Sequence, residues 1–404
     1  MKVNIERIAR PSGIAIVAVA LSFGAWLFPD FGLLRKGFTV AEYPGLTSLF
    51  ILFSWYLLIF TGFSIGERLG TPSAVSRRKR NNLPPLNSQA VYWTFTVLSA
   101  IGVIATFFRI FHTLPFQQAI LYIYLGQANR LKNTLYNDYG AGILSLRYLV
   151  LYSASLAIYR IGKFKRLSFI AVVNIALLAM TALLSSRLIL IATVLVSAFL
   201  LNYGKKTIKI GIVKLMVLTG IIFAVLSLLN YSRNSNFYSG RNLSFTEASL
   251  SEIVTYLGSP FQVSIGAAKR MDEIAGETPE SYREFVDVEE SLTTNSAFVH
   301  LHEQMGYLSW LYIGALCCFM GFMFSWLASF GKTSLLLPCG AILYGAAELW
   351  RLDLFQQGIF IVWFVMGIGV PGVVLFFDGR PVPGRSTFRS ARRPATGHAL
   401  RSTE

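Results

Sequence analysis

The stretch that decides the fold is residues 167–203, which read LSFIAVVNIALLAMTALLSSRLILIATVLVSAFLLNY. Its two apolar halves, Leu167–Leu184 and Leu188–Tyr203, are each about as long as the shortest helices that cross a bilayer. Ser185, Ser186 and Arg187 interrupt them, and two small polar residues followed by a charge favour a tight turn over one long helix. We therefore predict two spanning helices joined by a hairpin, with Arg187 at the start of the second.

The same hydropathy pattern extends along most of the chain. Of its 404 residues, 54% are hydrophobic and only 14% are charged, with a mean hydropathy of +0.55. This composition is typical of a polytopic membrane protein and excludes an ordinary soluble enzyme. We predict an all-α fold with about ten transmembrane helices. The predicted spans are Gly13–Phe28, Gly45–Gly66, Val91–Phe111, Ala141–Tyr159, Leu167–Leu184, Leu188–Tyr203, Gly211–Asn230, Gly306–Phe330, Ser334–Trp350 and Gly358–Phe377.

The basic residues predict the orientation of these spans. Lys and Arg concentrate in alternating short loops and at both termini, and such segments lie on the cytoplasmic side of membrane proteins. Both termini are therefore predicted to be cytoplasmic. Residues 1–230 hold the first seven helices, residues 231–304 an extracytoplasmic loop, residues 305–377 three more helices, and residues 378–404 a disordered basic tail. Topology and anionic membrane lipids explain the net charge of +16 without a nucleic-acid partner.

The large outer loop contains helical signals. Ser244 and Glu247 form a Ser-x-x-Glu capping box, which predicts the start of a helix. Gly258 and Pro260 are expected to end this helix, and a second amphipathic helix is expected to follow until Gly276. We predict that the pair lies on the outer membrane surface as a lid over an embedded site.

Five arginines at the outer ends of apolar segments are the candidate anion-binding residues. A guanidinium keeps its charge at any relevant pH and binds phosphate oxygens through two parallel hydrogen bonds. An arginine near bilayer depth also needs a partner or a wet cavity. Arg351 has Asp353 close by as a possible structural partner. The five predicted ligands of a lipid-linked pyrophosphate are Arg147, Arg187, Arg233, Arg241 and Arg351.

Candidates for a general base lie just before the eighth predicted span. His300 and Glu303 share one face of a helix, and a carboxylate or an imidazole there has the chemistry to deprotonate an attacking hydroxyl. His302 lies on a different face, so His300 and His302 make a poor metal pair. Tyr256 and Tyr231 are candidates for stacking on sugar rings.

Several segments together resemble the Wzy-type polymerases of oligosaccharide repeat units, which are related to the O-antigen ligases. The resemblance covers residues 185–330. It rests on Ser185-Ser186-Arg187, on Tyr231-Ser232-Arg233, on Tyr256-Leu257-Gly258-Ser259-Pro260, and on Thr294-Asn295-Ser296 followed by Glu303 and Gly306. The ligase pattern has a His beside the Asn that is Asn295 here, whereas this chain has Thr294.

The resemblance implies a glycosyltransferase of the bacterial inner membrane that needs no metal and no cofactor. Its substrates would be undecaprenyl-pyrophosphate-linked oligosaccharides of O-antigen, lipopolysaccharide or exopolysaccharide, and Asn295 would lie near the glycan. A chain-length regulator and a flippase are the expected protein partners. The base stays open among His300, His302, Glu303 and Glu252.

Two alternatives stay open on the sequence. One is another glycosyltransferase, either an O-antigen ligase or an enzyme using a lipid-monophosphate sugar with Asp30 or Glu42 as base. The other is an oligosaccharide flippase or a solute transporter without catalysis, for which functional charges would extend towards both leaflets.

Overall fold

The structure is a computed structural model that describes residues 2–27, 45–71, 83–125, 130–131, 142–184, 187–205, 207–209, 244–275 and 296–378, with residues 220, 224 and 227 as single positions. The described part of the chain is almost entirely helical. The predicted span Gly211–Asn230 and the basic tail lie outside it, apart from those three positions.

In the described residues, the elements follow one another as a series of helices with one small sheet. Two three-residue strands, β1 (Lys2–Asn4) and β2 (Thr207–Lys209), pair antiparallel. Two 3₁₀ helices span Ile143–Leu149 and Leu354–Gln356. The α-helices are α1 (Ile5–Ile8), α2 (Pro11–Trp26), α3 (Leu46–Leu69), α4 (Gln89–Thr113), α5 (Phe116–Tyr124), α6 (Val150–Phe164), α7 (Phe169–Leu184), α8 (Arg187–Asn202), α9 (Phe245–Lys269), α10 (Met271–Ile274), α11 (Ala297–Met305), α12 (Leu308–Ala328), α13 (Leu336–Glu348) and α14 (Gly358–Asp378).

Within the described residues, four helices are long and apolar enough to cross a membrane, namely α3, α4, α12 and α14. Shorter apolar helices accompany them, formed by α2, α7, α8 and α13. Large apolar side chains remain exposed on α3, α4 and α12, as expected for surfaces that face lipid. The membrane character and the helical fold class are therefore confirmed, whereas the number of ten spans stays a prediction.

The two helices predicted around residues 185 and 186 are present as α7 and α8. Helix α8 begins at Arg187, and the two serines lie outside the described residues. The predicted span Ala141–Tyr159 is displaced. A 3₁₀ helix occupies Ile143–Leu149, and the α-helix begins only at Val150 and runs to Phe164.

A close backbone contact accompanies this displacement. Gly102 of α4 packs directly on the 3₁₀ helix, where an added Cβ would lie 2.1 Å from the backbone nitrogen of Arg147. Only glycine allows this approach, which fixes the backbone that carries Arg147. Helices α3 and α12 approach in the same way, because a Cβ on Gly66 would lie 1.9 Å from the carbonyl oxygen of Cys318.

Several contacts gather the predicted inner segments at one end of the helices. The strands β1 and β2 pair there, and Pro85 forms a backbone bridge with Thr333. The buried carboxylate of Glu67 accepts a hydrogen bond of 2.8 Å from the backbone nitrogen of Ser12, at the start of α2. We call this the basic end; its grouping agrees with the charge pattern of the sequence.

Helix α9 corrects the predicted lid. Its capping box at Ser244 is present as predicted, but the helix continues through Gly258 and Pro260 to Lys269. Gly258 serves packing instead of termination, since an added Cβ would lie 3.1 Å from the backbone nitrogen of Trp26. Residues 258–268 are all buried. This half of α9 therefore packs inside the helix bundle against α2 and α3, and the predicted surface position is wrong for it.

Candidate functional site

Arg147 is the most buried of the predicted arginines whose side chains the structure describes. It is 2% exposed and lies in the 3₁₀ helix against α4. One terminal nitrogen donates to the hydroxyl of Tyr148 at 2.8 Å, and the other lies 3.5 Å from the hydroxyl of Thr106. The guanidinium carbon also lies 4.7 Å from the centre of the Tyr148 ring.

The charge of Arg147 has no counter-ion in the described part of the chain. Its two hydrogen-bond acceptors there are neutral hydroxyls, and it forms no ion pair with any described acid. Its buried Nε has no acceptor among the described residues. A buried guanidinium in these surroundings carries a desolvation cost that an anionic ligand would offset. Arg147 therefore carries a buried charge that no described acid neutralises.

Arg351 differs because it is already paired. Its Nε and Nη2 donate to one carboxylate oxygen of Glu348, at 3.1 Å and 2.8 Å. The two side chains are 12% and 8% exposed. The guanidinium also lies over the ring of Tyr256, 4.6 Å from its centre, and Trp350 packs edge-on against the same ring. Tyr256 therefore presents a ring face to Arg351, while its role in sugar stacking stays a prediction.

The predicted pairing of Arg351 with Asp353 is wrong. Asp353 instead caps the 3₁₀ helix Leu354–Gln356 by accepting a hydrogen bond from the backbone nitrogen of Phe355 at 3.1 Å. Its other oxygen accepts a bond of 3.3 Å from the hydroxyl of Tyr312. Burial raises the pKa of Asp353 to about 6, against an ordinary value of 3.8, and these hydrogen bonds only partly oppose the rise.

We expect Asp353→Asn to stabilise the protein near neutral pH and not in acid. The folded state of the native protein retains the Asp353 proton between about pH 4 and pH 6, so its stability falls as pH rises through that window. The two pKa values imply that ionisation of Asp353 lowers the free energy of unfolding by about 3 kcal/mol. Asparagine retains an acceptor for Phe355. Thermal unfolding of purified protein should show a rise on the order of 5 °C at pH 7 and little change at pH 4.

The matched control for this prediction is Glu273→Gln, which neutralises an exposed acid. It should leave the melting temperature nearly unchanged at both pH values. An equal shift at pH 4 and pH 7 in Asp353→Asn would show that the carboxylate charge is not the cause.

Arg147 and Arg351 lie at similar heights above the basic end. Helix α13 begins beside the bridge at Thr333, and its length places Glu348 roughly 20 Å further along. Helix α4 begins just after Pro85, and Thr106 lies about 25 Å along it. Both arginines are therefore far from the basic end, towards the side predicted to be extracytoplasmic.

One aromatic residue links the surroundings of the two arginines. The indole nitrogen of Trp363 donates to the carbonyl oxygen of Tyr148 at 2.8 Å, next to Arg147. The ring of Trp363 packs against Tyr344, whose helix α13 carries Glu348. Trp363 thus connects the backbone beside Arg147 to the helix that carries Glu348. Because Arg147 and Arg351 also lie at similar heights above the basic end, we call their surroundings the arginine layer.

The predicted base candidates on α11 have different surroundings. Glu303 is 1% exposed, and His302 is fully buried, with its Nε2 lying 3.0 Å from the carbonyl oxygen of Met271. His300 is half-buried and lies 3.0 Å from the exposed amide of Gln304. No hydrogen bond or ion pair joins His300 to Glu303 in the described residues. The two side chains were predicted to share a helix face, but they do not hydrogen-bond to each other. The identity of the base stays a prediction.

For the remaining predicted site residues, the structure describes either the backbone position alone or nothing. Arg187 and Glu252 are described only as positions in α8 and α9. Arg233, Arg241, Tyr231 and Asn295 lie outside the described residues, as do Asp30 and Glu42. Their predicted roles are untested.

The structure adds site residues that the sequence did not reveal. Thr106 and Tyr148 hold the guanidinium of Arg147, and Thr106 lies too far along the chain to be recognised from spacing. Glu348 had a readable signal, because an acid three residues before an arginine shares its helix face. Among the described residues, no three His, Cys, Asp or Glu side chains are grouped so as to hold a metal ion.

Comparison of the chain with protein-family models, with curated proteins and with solved structures finds no match in any of the three.

Proposed function

We propose that this protein is a glycosyltransferase that polymerises undecaprenyl-pyrophosphate-linked oligosaccharide repeat units at the outer face of the bacterial inner membrane. The observation that carries the proposal is Arg147, a buried guanidinium without a counter-ion in the described residues, far from the basic end. A site of this kind suits the phosphate of a lipid-linked substrate, which enters from the membrane. The resemblance of residues 185–330 to repeat-unit polymerases supplies the substrate class.

In the proposed reaction, a hydroxyl of a single lipid-linked repeat unit attacks the anomeric carbon of the growing chain. A new glycosidic bond forms, and the bond from the anomeric carbon to the pyrophosphate oxygen breaks. The hydroxyl proton passes to one base among His300, His302, Glu303 and Glu252. Undecaprenyl pyrophosphate leaves with the bonding electrons.

Arg147 would bind the leaving pyrophosphate and stabilise the charge that develops on it. Arg187, Arg233 and Arg241 stay proposed ligands of the same group. Arg351 is a weaker candidate than Arg147, because Glu348 already neutralises its charge. Its contact with Tyr256 assigns it a role in holding α9 against the loop that follows α13.

The test is a polymerisation assay with purified components. The full-length protein in detergent is mixed with one homogeneous pyrophosphate-lipid-linked repeat unit, with EDTA present, and the products are resolved by size. A ladder of multiples is the expected result. Unchanged substrate, with a native repeat unit and folded protein verified, would contradict the polymerase and favour a flippase or transporter. In a parallel reaction that also contains lipid A core, transfer of the glycan to that core without a ladder would favour a ligase.

A further inference from the structure

A recess of about 500 Å³ opens where α9, α10 and the beginnings of α3 and α12 meet. Its volume lies within the range of small-molecule sites in proteins. The polar and aromatic residues that line it are Thr47, Lys269, Asp272, Tyr307 and Trp310. None of these residues belongs to the arginine layer described above.

The lining combines aromatic faces with polar groups. Tyr307 is 60% exposed, and its hydroxyl donates a hydrogen bond to the carboxylate of Asp272. This bond joins the start of α12 to α10 and orients the tyrosine ring. Trp310 packs edge-on against Trp55, with ring centres 5.4 Å apart, so its orientation is also fixed. An ordered aromatic pair beside Lys269, Asp272 and Thr47 offers both stacking surfaces and hydrogen-bonding groups.

We propose that this recess binds a sugar ring of the oligosaccharide at a distance from the pyrophosphate. Sugars present apolar C–H faces that stack on aromatic rings and hydroxyl groups that pair with carboxylates, ammonium groups and hydroxyls. Along α9, the distance from Tyr256, beside Arg351, to Lys269 is about 20 Å. The recess thus lies about 20 Å from the Arg351 side of the arginine layer. A repeat unit whose pyrophosphate is bound in that layer would reach the recess with a sugar other than the first. This inference rests on the proposed function for the identity of the glycan.

The test measures glycan binding without lipid or pyrophosphate. The oligosaccharide is released from the purified lipid-linked repeat unit, and its binding to the full-length protein in detergent is followed by saturation-transfer NMR. We expect Tyr307→Ala to weaken binding about five-fold or more, since the stacking face is lost. Tyr307→Phe keeps the ring and should retain most of the affinity. Tyr124→Ala removes an exposed aromatic residue of α5 and is the matched control.

The outcomes separate this inference from the polymerase proposal. If Tyr307→Ala has the melting temperature of the native protein and binds the oligosaccharide equally well, the recess is not a sugar site, whether or not the ladder forms. Weaker binding by Tyr307→Ala, without a ladder from the native protein, would support the recess and overturn the polymerase. A loss of binding in Tyr124→Ala as large as in Tyr307→Ala would also contradict the recess.

Discussion

Arg147→Met is expected to abolish polymer formation and, at the same time, to raise the melting temperature of the ligand-free protein. Methionine fills a similar volume and removes a buried charge that has no counter-ion in the described residues. Replacing even a paired set of buried charges with apolar side chains of similar size is often neutral or stabilising by about 1–4 kcal/mol, and a charge without a counter-ion carries its desolvation cost uncompensated. Loss of one charge-stabilising group in a transfer reaction lowers the rate by about 100-fold or more.

The combination of the two effects is what identifies a binding role. An arginine that serves only structure would destabilise the protein when removed, so a clear fall in the melting temperature would contradict the proposal. Activity is measured as the rate of ladder formation and stability as thermal unfolding in the same detergent. Arg166→Met, which removes an exposed charge near the end of α6, is the matched control and should leave both readings nearly unchanged.

The sequence predicted the long apolar helices well because their signal is local. A run of about 20 apolar residues has few alternatives to a spanning helix, and α3, α4, α12 and α14 lie where hydropathy placed them. The start of α6 and the continuity of α9 were not predictable in this way. Both depend on glycines, Gly102 and Gly258, whose missing Cβ permits a contact with a distant backbone. Local rules read Gly258 as a helix end, and they gave no sign that Gly102, inside a correctly predicted helix, packs on residues 143–149.

The sequence predicted which arginines belong to the candidate site, but it did not predict how their side chains are paired. Sequence alone selected Arg147 and Arg351, because a charge beside an apolar segment is costly wherever it lies. The i,i+3 spacing offered a signal for the pairing of Arg351 with Glu348, but nothing in the sequence showed that the hydroxyls of Thr106 and Tyr148 hold Arg147. This difference in partners decides which arginine has charge available for a ligand, and it arises from tertiary packing.

Glu348→Gln is expected to cause the largest loss of stability among these variants. It leaves the guanidinium of Arg351 buried without its carboxylate, and breaking a buried pair in this way costs about 3–5 kcal/mol. Thermal unfolding should show a marked fall in melting temperature. Tyr256 packs under the same guanidinium, so limited proteolysis is expected to cut near α9 more readily in this variant.

The double variant Glu348→Gln with Arg351→Met gives the decisive comparison. Removing both charges should recover most of the stability, because neither ion is then buried alone. If Arg351 contributes only to stability, methionine can pack on the Tyr256 ring in its place, and the double variant should keep most of the native polymerisation rate. A stable double variant without activity would instead make Arg351 a ligand of the pyrophosphate. Its guanidinium would then pair with Glu348 in the free protein and with the substrate in the complex. The pairing with Glu348 would then keep the site neutral until the lipid-linked anion arrives.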